Sequence, residues 1–213
     1  MVITYHGLGM VKVTQGDLTA VFNPIGKGGT MKGARFGADL ALVSCNHENW
    51  NGIEQVTNTS KVPFVVNGPG EYEVGGLYIK GFWVEQDDNG TKFINTAYSL
   101  ILDGVNLCHL GALSTKEIRE KMKEKVGGID VLFIPIAIDG VRALSPSDAH
   151  SLVSELEPSI IVPLWVGPKG EDKRALESFQ KSCGVAPKQE EKLTLKKKDL
   201  EGKEGELVVL SLT

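Results

Sequence analysis

Two hydrophobic rhythms divide this chain, and together they limit it to few folds. From Met1 to Gly111 apolar residues come in short runs cut by glycine and polar turns: "MVITYHG", "MVKVTQ", "LTAVFNP", "ADLALVS", "KVPFVVNG", "YEVGGLYIKGFWVE", "NTAYSLILDG" and "VNLCHLG". These read as the strands of an antiparallel-looking first half, with "DDNG" as a hairpin turn. The rhythm then changes. "STKEIREKMKEKVGG" predicts a helix with Ser114 as N-cap, Glu117 three residues on and Gly127 as its stop. "IDVLFIPI" reads as a buried strand. "SPSDAHSLVSELEP" reads as a helix capped by Ser145, with Pro146 at its first position and Asp148 three residues after the cap. "SIIVPLWV" is another buried strand, "EDKRALESFQKSCG" a third helix, and "KLTLKKK" and "GELVVLSLT" close the chain as strands. Strands followed by alternating strands and helices point to two sheets covered by helices on their outer faces, as one domain over residues 1–213. In such a fold the loops at strand ends carry the chemistry.

Composition excludes several classes of function. With 41% hydrophobic and 23% charged residues, the chain can bury a core. A net charge of -4 argues against a nucleic-acid partner held by bulk electrostatics. No apolar run reaches the roughly 18 residues of a membrane span. "MVITYHGLGMVKV" lacks the basic-then-apolar order of a signal peptide. Cys45, Cys108 and Cys183 are odd in number and widely spaced, which suits neither a disulfide framework nor a metal knuckle. The expected compartment is the cytoplasm.

The stretch "SCNHENWN", Ser44 to Asn51, follows the buried run "ADLALV". A polar loop with a Cys, a His and a carboxylate at a strand end suits metal chemistry, yet a Trp stands inside it. The surrounding blocks resolve the puzzle. "ITYHGLGMVKV", "FNP", "GARFGADLALVSCNHENWNG", "NGPGEYEVGGLYIKGF", "CHLGAL" and "EPSIIVPLWV" occur in this order along nearly the whole chain. The chain thereby resembles the metallo-β-lactamase fold superfamily, in its branch of small zinc-dependent, lactonase-like hydrolases. The resemblance implies a four-layer αββα sandwich and a dinuclear zinc site.

Laid on the family's pattern, the ligand positions fall at Cys45, His47, Asn49, Trp50, Gln86, Ala112 and Trp165. Only His47 keeps the family's residue. Zinc needs lone pairs from His, Cys or carboxylate at about 2.0–2.3 Å. Ala112 and the two Trp side chains supply none, and the neutral amides of Asn49 and Gln86 are weak zinc ligands. Both family carboxylates are missing, so nothing would hold a metal-bound water and lower its pKa towards about 7. The expectation is a protein without the dinuclear site and without a cofactor.

The three tryptophans, Trp50, Trp83 and Trp165, are expected around the former cleft. Either they fill an emptied cavity, or with His47 and His109 they line an aromatic pocket for a planar small molecule or a protein partner. An alternative is a rebuilt mononuclear zinc site at Cys45, His47 and His109; another is a nucleophilic Cys45–His47 pair. The Gly-rich "NGPGEYEVGG" reads as tight turns rather than a phosphate cradle, because no helix or Lys follows it. Glu71 and Glu73 read as solvated, His6 as structural and His150 as a surface residue. The lysines of "KLTLKKK" read as guards on an edge strand. The resulting expectation is a non-catalytic binding or assembly protein of unidentified partner, free or homo-oligomeric, with the metal-dependent hydrolase as the alternative.

Overall fold

The computed structural model describes residues 1–88, 91–115, 126–136, 143–167 and 169–213, and at 85–88 and 91–92 the backbone path alone. In chain order the strands are β1 (Val2–Tyr5), β2 (Val11–Gln15), β3 (Leu18–Phe22), β4 (Leu40–Leu42), β5 (Phe64–Val66), β6 (Gly70–Val74), β7 (Leu77–Asp88) and β8 (Thr91–Leu102). They continue with β9 (Val105–His109), β10 (Val131–Pro135), β11 (Ile160–Leu164), β12 (Val166–Gly167), β13 (Gly170–Glu171), β14 (Lys188–Glu190), β15 (Leu193–Thr194) and β16 (Glu206–Leu210). The described helices are α1 (Pro146–Leu156) and α2 (Lys173–Cys183).

One sheet has the order β15-β1-β2-β3-β4-β5, and a second the order β14-β16-β11-β10-β9-β8-β7-β6. Period-two alternation decides what each strand of the first sheet buries. Ile3, Tyr5, Val11, Val13, Phe22, Leu40 and Leu42 join the main core shared with the second sheet. Val21 and Ala41 point the other way and pack with Leu8, Met10, Ile25, Ala38 and Val56. Among the described residues, the layer over that outer face is the segment 23–39 and a single 3-10 turn, Ile53–Gln55. On the second sheet, Ala149, Leu152 and Val153 of α1 and Leu176 and Phe179 of α2 join the main core. The architecture is the expected α/β (α+β) sandwich.

Both helices carry the signals read from the sequence. Ser145 accepts from the Asp148 amide at the start of α1, and Asp172 caps α2 by accepting from the Ala175 amide. Gly184 ends α2 in the left-handed conformation. The expected helix 114–128 and the "DDNG" turn lie largely outside the described residues.

Two expectations are corrected. The first half is not all antiparallel: β3 pairs parallel with β4, and β4 parallel with β5. The long connections 23–39 and 43–63 let the chain return to the same end before each strand, which a parallel pair requires. The "KLTLKKK" segment is a strand only at Leu193–Thr194 and turns into a 3-10 helix at Lys197–Leu200. Asp199 accepts from the Lys196 amide there, and Lys197 reaches Asp130 at 2.8 Å, so the lysines serve a turn and a tether. The parallel pairing has a functional consequence. It gathers the C-terminal ends of β3, β4 and β5, and the loops that follow them, at one end of the sandwich.

Candidate functional site

At that end the Cys45–Gly52 loop folds on itself. The His47 amide donates to the Cys45 carbonyl, the Trp50 and Asn51 amides both donate to the His47 carbonyl at 2.8 Å, and the Gly52 amide donates to Pro24 at 2.7 Å. This tight coil turns Trp50 inward. Cys45, Trp50 and Ala112 form a small apolar cluster of their own, 8%, 4% and 0% exposed. Three expected ligand positions thus meet in space, and they meet as a hydrophobic contact.

Trp50 fits because Gly9 faces it. A Cβ on Gly9 would lie 3.0 Å from the indole Nε1 and 3.2 Å from Asn23 Nδ2. The ring of His47 stands edge-on to Trp50, with centroids 5.4 Å apart. His47 itself is exposed, and its Nδ1 accepts from the Asn49 amide at 3.1 Å. Asn49 is buried, and its Oδ1 accepts from both the amide and the hydroxyl of Thr30. The residue in place of the carboxylate therefore ties the 23–39 segment to the loop.

His109 lies beneath, fully buried between Phe22 at 5.2 Å and Phe133 at 5.8 Å. The Gly111 amide donates to its Nδ1 at 2.9 Å, so the proton sits on Nε2, which donates to the Gly9 carbonyl at 2.9 Å. Burial, only partly offset by the Gly9 carbonyl, lowers its pKa to about 4. The ring is neutral, and both nitrogens are engaged. In this arrangement it is a structural member of the core.

The remaining positions spread out. Trp165 is buried and is among the residues around a cavity of about 310 Å³, with Leu176 and Gln180 of α2 and with Gln189 and Ser211. Trp165 also belongs to the main core, and its Nε1 is buried without a partner among the described residues. Gln86 pairs with Phe93 in the β7–β8 ladder, and its side chain lies outside the described residues. Trp83 is 44% exposed. It sits opposite Thr96, two residues along β8 from Tyr98, which pairs with His109. Trp83, Thr96, Tyr98 and His109 therefore share the face turned towards the first sheet. The Thr96 amide donates to the Ser44 carbonyl at 2.8 Å, so the strand position opposite Trp83 is joined to the start of the Cys45–Gly52 loop.

A buried polar frame behind the loop escaped the sequence reading. Asn23 has φ 48 and accepts through Oδ1 from the Ser44 amide at 2.8 Å. Asn95 accepts from the Ala112 amide and donates to the Leu110 carbonyl. The Asn of "FNP" was its one visible signal, because Asn tolerates the left-handed region that this turn requires. Ser44 Oγ and Trp50 Nε1 are buried and lack partners among the described residues.

The residues present do not fit a family-type dinuclear centre. An apolar cluster occupies three ligand positions, and His109 has no free lone pair. Among the described residues no group of three His, Cys, Asp or Glu could hold a metal ion. Glu71 and Glu73 are exposed on β6. His6 is buried, bonded to Thr4 and to the Thr213 carbonyl, and its pKa is lowered chiefly by burial. His150 is half-buried. No described helix is long and apolar enough to cross a membrane.

Comparison with known proteins bears on the fold. The chain is similar to a Thermotoga maritima protein crystallised as a proposed Zn-dependent hydrolase of the metallo-beta-lactamase superfamily, with TM-score 0.76, 23% identity and coverage of 100% of this chain and 99% of that one. It is similar to the metallo hydrolase Igni18 of Ignicoccus hospitalis, with TM-score 0.60, 14% identity and coverage of 99% and 94%. It is also similar to the diiron beta-hydroxylase CmlA of Streptomyces venezuelae, with TM-score 0.65, 12% identity and coverage of 99% of this chain and 52% of that one. At these identities the likeness shows the fold. No curated protein sequence matches this chain. The profile of the beta-lactamase superfamily domain matches residues 2–165, more than half of the chain, and the chain belongs to that family.

Proposed function

We propose that this chain keeps the scaffold of the superfamily without its metal chemistry and acts as a binding or assembly protein. One observation carries the reading: Cys45, Trp50 and Ala112, three of the positions at which the resemblance sets metal ligands, close on one another. A carboxylate or imidazole at any of these positions would have to enter a dry contact. The contact surface is the rim that remains open, with His47 and the half-exposed Trp83 as its aromatic edge. Its ligand would be a planar small molecule or a protein segment, since an aromatic rim gains from stacking and apolar burial. A cytoplasmic, single-domain protein, alone or as a homo-oligomer, suits this role.

The alternative is a metal-dependent hydrolase with a mononuclear site at Cys45, His47 and His109. It would require His109 to release Gly111 or Gly9 and turn out of its aromatic stack. Metal content of the untagged protein decides between the two, measured by inductively coupled plasma mass spectrometry. The protein is first dialysed against excess zinc and then against metal-free buffer. The binding-protein reading expects a negligible fraction of an equivalent. Near-stoichiometric zinc, lost in His47→Ala, would install the alternative.

A further inference from the structure

The motif "NGPG" after β5 opens with one of three Asn–Gly dipeptides in the chain, Asn51–Gly52, Asn67–Gly68 and Asn89–Gly90; the last lies outside the described residues. The two described ones share their local sequence chemistry but not their surroundings. At Asn51, the side-chain Nδ2 donates to Asn46 Oδ1 at 2.9 Å, and the Gly52 amide donates to the Pro24 carbonyl at 2.7 Å. A Cβ on Gly52 would meet the backbone of Ile25 and Gly26 at 2.3 Å, so that glycine is encased. At Asn67 the side chain and the following amide stand differently. The side chain is exposed and bonds to no described residue. The space beside Gly68 is open for 4 Å around its Cβ position. The Gly68 amide has no acceptor among the described residues: the Val43 carbonyl, next in the β4–β5 ladder, accepts instead from the Tyr98 hydroxyl at 2.9 Å.

We infer that Asn67 is a deamidation site of the folded protein and that Asn51 is protected from the same reaction. The backbone nitrogen of Gly68 gives up its proton and attacks Cγ of Asn67. A C–N bond forms, the side-chain amide nitrogen leaves as ammonia, and a cyclic imide remains. Water then adds to either imide carbonyl, yielding aspartate or isoaspartate. Water is the sole co-reactant, and nothing is oxidised or reduced. At Asn51 the same attack requires Gly52 to leave its hydrogen bond and move within a backbone cage.

The product would not be silent. The Gly68 carbonyl accepts from the Tyr72 hydroxyl at 3.0 Å, and it would approach a Cβ at Gly81 to 2.7 Å, with Pro69 Cα at 3.0 Å. Gly81 is two residues before Trp83 on β7. An isoaspartate lengthens the backbone at this turn, and either product adds a negative charge beside the rim.

The test is peptide mapping by mass spectrometry on the intact folded protein held in mildly alkaline buffer, with an isoaspartyl-specific methyltransferase label as a second readout. In the native state the Asn67 peptide gains the mass of an amide-to-acid conversion at least about tenfold faster than the Asn51 peptide, since Asn51 must await a local opening. In denaturant the two rates converge, because the sequence chemistry is the same. Asn67→Ala abolishes the signal from that peptide and leaves Asn51 as it was. Equal native rates at the two sites, or an Asn67 that reacts only when the chain is unfolded, would overturn the inference.

Discussion

Replacing Ala112 by Asp restores the family's bridging carboxylate type at a position that this fold has closed, so its outcome is a sharp test of the apolar cluster. Ala112 is 0% exposed and packs on Cys45 and Trp50. The added carboxylate has no cation within the cluster. Its amide already donates to Asn95 Oδ1, at 2.8 Å, which would set a second acceptor beside the new charge. An unpaired buried ion costs several kcal/mol even after relaxation, and forcing extra atoms into a packed contact adds about 1–3 kcal/mol. A total of about 4 kcal/mol is a large part of the 5–15 kcal/mol typical of a whole domain. At about 2–4 °C per kcal/mol for a chain of this size, the melting temperature falls by about 8–16 °C. The sign with pH follows. Burial raises the folded pKa of the new carboxyl above its unfolded value of about 3.9, so the penalty is absent below that pH and grows as pH rises towards the folded pKa. Thermal unfolding by circular dichroism at acid and neutral pH, with and without excess zinc, reads all of this, with Ala112→Ser as a size control. A variant as stable as the parent, or one whose melting temperature rises with zinc, would refute the closed-site argument.

Other outcomes follow from the same geometry. Because His109 is held neutral with its pKa lowered from 6.5 to about 4, the unfolded chain binds its proton first as pH falls. Stability is therefore full above about 6.5 and declines between about 6.5 and about 4, by about 3 kcal/mol; urea unfolding across that window should show the slope, and His109→Leu should flatten it. Gly52→Ala drives a Cβ into backbone atoms at 2.3 Å and should cost more than about 3 kcal/mol in urea unfolding. Gly16→Ala has only a left-handed φ of 57 against it, with nothing within 4 Å, and should cost about 1 kcal/mol. Tyr98→Phe removes the hydroxyl that bonds the Val43 and Val66 carbonyls at 2.9 and 3.2 Å and ties the two sheets together; the loss should be about 1–3 kcal/mol by equilibrium denaturation.

The fold was largely legible in the chain because its evidence is local. Alternating apolar residues, glycine-marked turns and the Ser145 cap each act within a few residues, and the ordered blocks from "ITYHGLG" to "PLWV" set them in one architecture. The donor atoms on offer were legible for the same reason: Ala112 and Trp50 lack ligand lone pairs whatever their surroundings. Where the tryptophans went was not. Trp50, Trp83 and Trp165 read alike in sequence, yet Trp50 packs on Cys45 and Ala112, Trp83 is 44% exposed and Trp165 is buried in the main core, because a side chain's direction depends on strand register and on what covers each face. The strands β4 and β5 looked antiparallel for a similar reason, since direction is set by where a long connection returns. His109 could be a ligand or a core residue on sequence alone. Only the donors assembled around it, Gly111 from its own turn and Gly9 from a hundred residues away, commit both nitrogens. Sequence determines which atoms a chain can offer; the tertiary structure decides which of those atoms are already engaged, and so which remain for function.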